Sequence, residues 1–270
     1  GQDGPNASKA GFASVCEAYS GFRYVNGHPH QAPVRPNLSI GDTIAGIHAT
    51  LGITMALLER HHSGTGQVVD VALFEAMFNL LEAVIPEYSG AGVVREPSGT
   101  TVTGIVPTNT YICRDGKYVV IGGNGDSIFV RLMQAAQRPD MARDSRMADN
   151  RGRVAHEKEI DVALASWCLQ HDSADILDKL VTARVPAGPI YNVADMMADD
   201  HYQARGLFEQ VEINGKPLAI PALIPKLQRT PGQTRWSGPT LGQHNEEVLG
   251  RILGLNEQAL AKLKEDGVVS

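Results

Sequence analysis

The stretch PNLSIGDTIAGIHATLGITMALLERHHSGTGQ places one carboxylate, Asp42, between a glycine and a long apolar segment. Two kinds of chemistry suit such a residue. As a helix N-cap, its side chain accepts hydrogen bonds from the first free backbone N–H groups. The same N–H groups and the helix dipole also favour negative charge and hold a carboxylate ionised. An ionised, desolvated carboxylate is in turn a nucleophile. Residue type alone leaves both readings open. Asn37, a few residues upstream, is placed as lining the same site.

Other residues offer less. The run IGGNGDS at 121–127 has the look of a phosphate cradle, but a lone glycine cluster between a strand and a helix serves equally as a tight turn. His48, His61 and His62 lie on or after the helix that Asp42 opens. No acidic or cysteine partners complete a ligand set, so they read as surface or helix-end residues and no metal site is expected. Cys16, Cys113 and Cys168 are far apart with no CxxC spacing, which suggests neither a zinc cluster nor a disulfide framework and fits a reducing compartment.

The elements that must position these residues follow from the apolar periodicity. Ile44, Ile47, Leu51, Met55 and Leu58 recur every three or four positions and predict a helix over 43–62, ended by the glycines of HSGTGQ. Before it, 9–21 is compatible with a helix stopped by glycine, and a Pro-rich connection follows. After it, VVDVALFEAMFNLLEAVI predicts a short β run that becomes a helix from about Leu73. YICRDGKYVVIGG predicts a hairpin turning at Asp-Gly. Helices are expected at 126–137, 151–170 and 173–183, then a Pro/Gly connection leading into another short helix. A second hairpin is expected around Asn214-Gly215, then an extended proline-studded stretch and two closing helices.

Composition limits what this arrangement can be. The 270 residues are 43% hydrophobic and 20% charged, a globular profile with enough apolar material for one large core or two smaller ones. The net charge of −6, with no Lys/Arg-rich run, speaks against nucleic-acid and anionic-membrane partners. No run of about 18 consecutive apolar residues suggests a membrane span. The opening GQDGPNASKA lacks the basic and apolar blocks of a signal peptide and reads as an internal loop feeding a helix.

GQDGP, KAGFASVCEAYSG, the Pro-rich connection, the Asp42 stretch on through VVDVALFEAM, and the late VPAGPIYNVADMM occur here in one order and spacing. Together they resemble the family III CoA-transferases, the CaiB/BaiF group, over the whole chain. The resemblance implies an α/β fold: a Rossmann-like large domain, here lacking the family's N-terminal segment, plus a smaller α+β domain. The expected partition is 1–95 with 226–270 for the large domain, 96–200 for the small one and 201–225 as linker. It also implies an interlocked homodimer, for which the stretch at 220–239 would be a suitable linker. Asp42 matches the family's catalytic aspartate in its GD motif. It would carry CoA from an acyl-CoA thioester to a carboxylic acid through an aspartyl anhydride and an aspartyl-CoA thioester. Coenzyme A is then a substrate, and no tightly bound cofactor is expected. The loop SGTTVTGIVPTNT, with Gly99 and Gly104, would cover the nucleophile and exclude water. It lacks the consecutive-glycine run of formyl-CoA transferases, which speaks against a formyl or oxalate specificity.

Lys9 is the candidate partner for a CoA phosphate, although a solvated surface lysine is the simpler reading. The acids expected are short dicarboxylates or hydroxy acids, and the location expected is cytoplasmic, with a mitochondrial one left open by the internal-looking start. The rival chemistry is that of the α-methylacyl-CoA racemases, which resemble the chain too and place a histidine in a GHD motif after the GP loop. Phe12 stands at that histidine's position and Ala13 at that of the neighbouring acid. A phenyl ring carries no proton, so half of a two-base arrangement is missing. A third alternative is an inactive dimerisation fragment.

Overall fold

The computed structural model describes residues 1–213 and 215–270, which divide into two units, Gly1–Ile190 and Tyr191–Ser270. The first unit opens with four helices: α1 (Ala13–Tyr19), α2 (Ile40–Ser63), α3 (Leu73–Phe78) and α4 (Val84–Ala91). α1 occupies only the middle of the expected 9–21 stretch. α2 starts earlier than the apolar repeat predicts, at Ile40, with Ser39 as its N-cap residue. It stops at Gly64, whose φ of 75° suits glycine and whose N–H donates to the Arg60 carbonyl at 2.9 Å. Arg60, His61 and His62 in the last turn carry basic groups toward the negative end of the helix dipole.

Two expectations between residues 65 and 91 are corrected. The β run at 68–72 is not a strand. Val68 is 93% exposed, and among the described residues no strand pairs with this segment. The helix from Leu73 is interrupted after Phe78 and resumes at Val84. Pro86 supplies the reason, since its ring clashes with the carbonyl four residues back in a continuous helix, at Glu82. Glu82 instead takes a left-handed φ of 46°, and Pro86 falls in the tolerant first turn of α4.

The remainder of the first unit is the α+β part. β1 (Thr108–Ile112) and β2 (Tyr118–Gly122) form the expected hairpin, with Thr108 opposite Gly122 and Gly116 at a φ of 78° in the turn. Five helices follow: α5 (Asp126–Ala135), α6 (Pro139–Ala142), α7 (Asn150–Ala155), α8 (Glu157–Leu169) and α9 (Ser173–Thr182), with a 3₁₀ turn at Ser145–Met147. The single helix expected at 151–170 is thus two, divided at His156. β3 (Ala187–Pro189) then pairs antiparallel with β2 and completes a sheet of order β1-β2-β3. The helices cover this sheet over a core that includes Val119, Ile121, Phe129, Leu132, Leu164 and Ile176. The core lies within the stretch assigned to a small α+β domain.

The fully buried Arg153 holds that part together. Its guanidinium donates to the carbonyls of Val106 at 3.0 Å, Met147 at 3.2 Å and Asn124 at 2.6 Å, pairs with Asp126 at 2.8 Å, and lies over the Phe129 ring. The IGGNGDS run is therefore a structural turn. Gly123 donates to the Pro107 carbonyl and packs so closely on Leu132 that a Cβ would collide with it.

The second unit contains α10 (Val193–Ala198), α11 (Asp200–Ala204) and the hairpin β4 (Phe208–Ile213) with β5 (Lys216–Pro221). Asn214, the other residue expected to turn that hairpin, lies outside the described residues. The stretch assigned as linker, 201–225, thus carries a strand pair. A π-helix (Glu246–Ile252) and α12 (Glu257–Glu265) close the chain. All the described strand pairs are antiparallel.

α2 has one further property. By length and composition alone it could cross a bilayer, with an 18-residue window of mean hydropathy 1.3, a length that the sequence reading did not assign to it. Core helices of globular proteins meet the same criterion. Of its residues only Gly41 and Ala45 are buried, Gly41 against α1. Ile47, Leu51, Met55 and Leu58, the stripe that predicted the helix, are 57, 58, 60 and 61% exposed.

Candidate active site

Asp42 is the third residue of α2, inside its first turn. The N-cap reading is therefore corrected, because the cap position belongs to Ser39, whose side chain makes no capping bond. The N–H of Thr43, the next residue, donates to the Ser39 carbonyl at 3.1 Å. The Asp42 carboxylate is exposed, and among the described residues it has neither a side-chain hydrogen bond nor an ion pair.

What fixes the first turn is a residue that the sequence reading did not single out. Glu17 of α1 is fully buried. Its Oε1 accepts the Gly41 N–H at 3.3 Å, and its Oε2 accepts from Arg23 Nη2 at 3.3 Å, with Arg35 Nε 3.9 Å away. Ala13 and Glu17 are four residues apart and so share one face of α1. Gly41 sits against that face, where a Cβ would come within 3.1 Å of the Ala13 Cβ and 3.4 Å of Glu17 Oε1. The glycine of the GD pair is thus the residue that lets the two helices approach. A Glu within SVCEAYS resembles an ordinary solvated helix charge. The available signal was its i+4 spacing from Ala13, with Arg23 and Arg35 in the following connection.

Among the described residues, no hydrogen bond or ion pair joins the other expected site residues to the Asp42 side chain. Asn37 is exposed. Lys9 is exposed and its backbone N–H donates to the Asn6 carbonyl, closing a turn. Gly99 and Gly104 take φ of 73° and 80°, so both are conformationally required. Gly99 donates to the Gly27 carbonyl at 2.8 Å and lies against the His28 ring. Asn150 anchors the far end of that loop, donating to the Gly104 carbonyl at 2.8 Å and accepting from the Val106 N–H at 3.2 Å. The loop is docked at both ends on specific partners. Phe12 is the N-cap residue of α1 and 84% exposed.

His48 departs from the surface reading. It is half-buried in the middle of α2, with Nδ1 2.9 Å from the Ile44 carbonyl and Nε2 3.3 Å from Asn79 Nδ2. Cys113 and Cys168, remote in sequence, both lie buried in the small core. Burial pushes the Cys168 thiol up to about 12 and also raises Cys113, which makes both poor nucleophiles. Among the described residues no group of three or more His, Cys, Asp or Glu is placed to hold a metal ion. An apolar cleft of about 410 Å³, lined by Tyr19, Tyr24, Phe78, Leu81 and Tyr88 among others, includes neither Asp42 nor Asn37.

The mixed α/β fold is one that known proteins share. Residues 1–245 match CoA-transferase family III, and the chain belongs to that family. It is 40% identical over 270 residues to the succinyl-CoA–D-citramalate CoA-transferase of Chloroflexus aurantiacus, covering 100% of this chain and 67% of that one. It is 33% identical over 273 residues to the beta subunit of the succinyl-CoA–L-malate CoA-transferase of the same organism, again covering 100% and 67%. Among solved structures, a CaiB/BaiF family protein from Brucella suis superposes with a TM-score of 0.77 at 27% identity, covering 93% of this chain and 65% of that one. The chain spans about two thirds of the length of these relatives.

Proposed function

We propose that this protein transfers coenzyme A from an acyl-CoA to a carboxylic acid, with Asp42 as the covalent nucleophile. The observation that carries this reading is the Asp42 carboxylate itself, exposed and unpaired in the first turn of α2, in a chain of CoA-transferase family III. In the first step a carboxylate oxygen attacks the thioester carbonyl and the C–S bond breaks, giving a mixed anhydride and a CoA thiolate. The thiolate then attacks the aspartyl carbonyl of that anhydride, so the first acid leaves as its carboxylate and Asp42 becomes a CoA thioester. An incoming carboxylate attacks this thioester, releasing the thiolate and forming a second anhydride. The thiolate finally takes the new acyl group and restores the Asp42 carboxylate. One thioester replaces another, so the exchange needs no ATP.

Each attack develops an oxyanion, and preorganised donors stabilise it by a few kcal/mol. Water is the competing nucleophile. The loop bearing Gly99 and Gly104 would exclude it, with Asn37 lining the site and Lys9 meeting a CoA phosphate. The names of the relatives point to succinyl-CoA as donor and to a short dicarboxylic or hydroxy acid, such as malate or citramalate, as acceptor. A cytoplasmic homodimer with a Rossmann-like large domain completes the reading. In support, α2 presents an apolar stripe of the kind that partner surfaces cover.

A matrix of acyl-CoA donors against carboxylate acceptors, followed by chromatography of the CoA esters, tests the proposal. Succinyl-CoA with a hydroxy acid should yield the acceptor's CoA ester and free succinate without ATP. Hydrolysis alone across the whole matrix would refute it.

A further inference from the structure

We infer that Glu17 is a positioning residue for Asp42: a buried carboxylate that locks the first turn of α2, and through Gly41 sets where the nucleophile stands. The inference rests on the reading of Asp42 as the nucleophile. Its geometric basis is the convergence of three other chain segments on one side chain. Glu17 comes from α1, Arg23 from the turn that follows, Arg35 from the Pro-rich connection, and Gly41 from α2. A carboxylate with no exposed surface is costly unless both oxygens are paired. Here one oxygen holds a backbone N–H and the other a guanidinium. Arg23 in turn donates to Ser14 at 3.1 Å, which ties the clamp back to α1.

The clamp acts on the residue directly before Asp42. The Gly41 N–H is one of the helix's unsatisfied amides, and Glu17 is its partner. The approach is close enough that glycine is needed to make it. Asp42 itself has no side-chain partner, so its placement depends on the backbone that Glu17 holds. Misplacing a reacting group by about 1 Å can cost on the order of 100-fold in rate. Glu17 does not face the reacting atoms and is not a catalytic residue.

The test compares wild type, Glu17→Ala, Glu17→Gln and Gly41→Ala in steady-state transfer, in hydroxylamine trapping of the Asp42 acyl intermediate, and in amide exchange at Gly41. Glu17→Ala should lower kcat by on the order of 100-fold, with the KM for the acyl-CoA changed by no more than about threefold. Adduct formation at Asp42 should slow by the same factor, and Gly41 exchange should accelerate. Glu17→Gln keeps an oxygen acceptor for Gly41 and should recover part of kcat and most of the protection. Gly41→Ala, which forces the two helices apart by a few tenths of an ångström, should lower kcat with Glu17 intact.

Unchanged kcat and adduct rate per folded molecule in Glu17→Ala would overturn the inference while leaving the nucleophile assignment standing. If Glu17→Ala does not fold, wild-type kcat in both Glu17→Gln and Gly41→Ala would overturn it. An absent adduct in the wild-type protein, or full transfer by Asp42→Ala, would instead overturn both readings.

Discussion

At the scale of residues, the account turns on one carboxylate and the groups around it. Asp42→Ala should abolish transfer and leave the fold intact. An exposed first-turn acid contributes only about 0.3–1 kcal/mol through the helix dipole, so the thermal midpoint should fall by a few degrees at most. A transfer assay beside a thermal melt checks both statements. The racemase alternative is separated by isotope. Turnover in deuterated water should leave the α-carbon of the acyl-CoA unlabelled, because the proposed cycle breaks no C–H bond; label accumulating at the turnover rate would restore the alternative and discount Phe12. The sequence singled out Asp42 as an acid at the head of an apolar repeat, and its reading as a nucleophile came from the family resemblance, not from its residue type. Its cap role was misread because Ile40 and Gly41 join the helix ahead of the apolar period. Glu17 was not singled out, because its i+4 spacing from Ala13 and the arginines that follow become a signal only once Gly41 is known to pack on that face.

At the scale of elements, the small α+β part should behave as a conventional core. Arg153→Met removes the donor for three carbonyls and for Asp126, and should destabilise by a few kcal/mol, since an unsatisfied buried acceptor costs about 1–3 kcal/mol. That would appear as a lower urea midpoint with the slope unchanged. The buried thiols give a pH signature with a definite sign. The Cys168 pKa is raised from 9.0 to about 12, so its contribution is complete below pH 9 and is lost as pH rises from 9 toward 12. Tyr111, buried and donating to Asp161, is shifted in the same direction. Urea midpoints measured across that interval should decline, and Cys168→Ala should make the decline shallower. The β1–β2 hairpin was readable because Asp115-Gly116 is a turn with a mechanism. β3 was not, since three residues ending in proline carry no strand pattern and owe their state to pairing with β2. The 68–72 segment shows the reverse case, a β-rich run left without a neighbouring strand.

At the scale of the whole molecule, the stripe Ile47, Leu51, Met55 and Leu58 made α2 legible, yet its exposure shows that a helical period predicts an apolar face and not what covers it. The proposed assembly buries that face. Light scattering on the 270-residue chain should therefore find self-association, reduced by Leu51→Lys; a monodisperse monomer would count against the dimer without touching the chemistry. The central claim, that CoA passes through a covalent bond to Asp42, is tested most directly by quenching the protein during turnover with hydroxylamine and mapping the modified peptide by mass spectrometry. The account predicts a hydroxamate on Asp42, formed only when acyl-CoA is present. Productive transfer with Asp42 unmodified would contradict it.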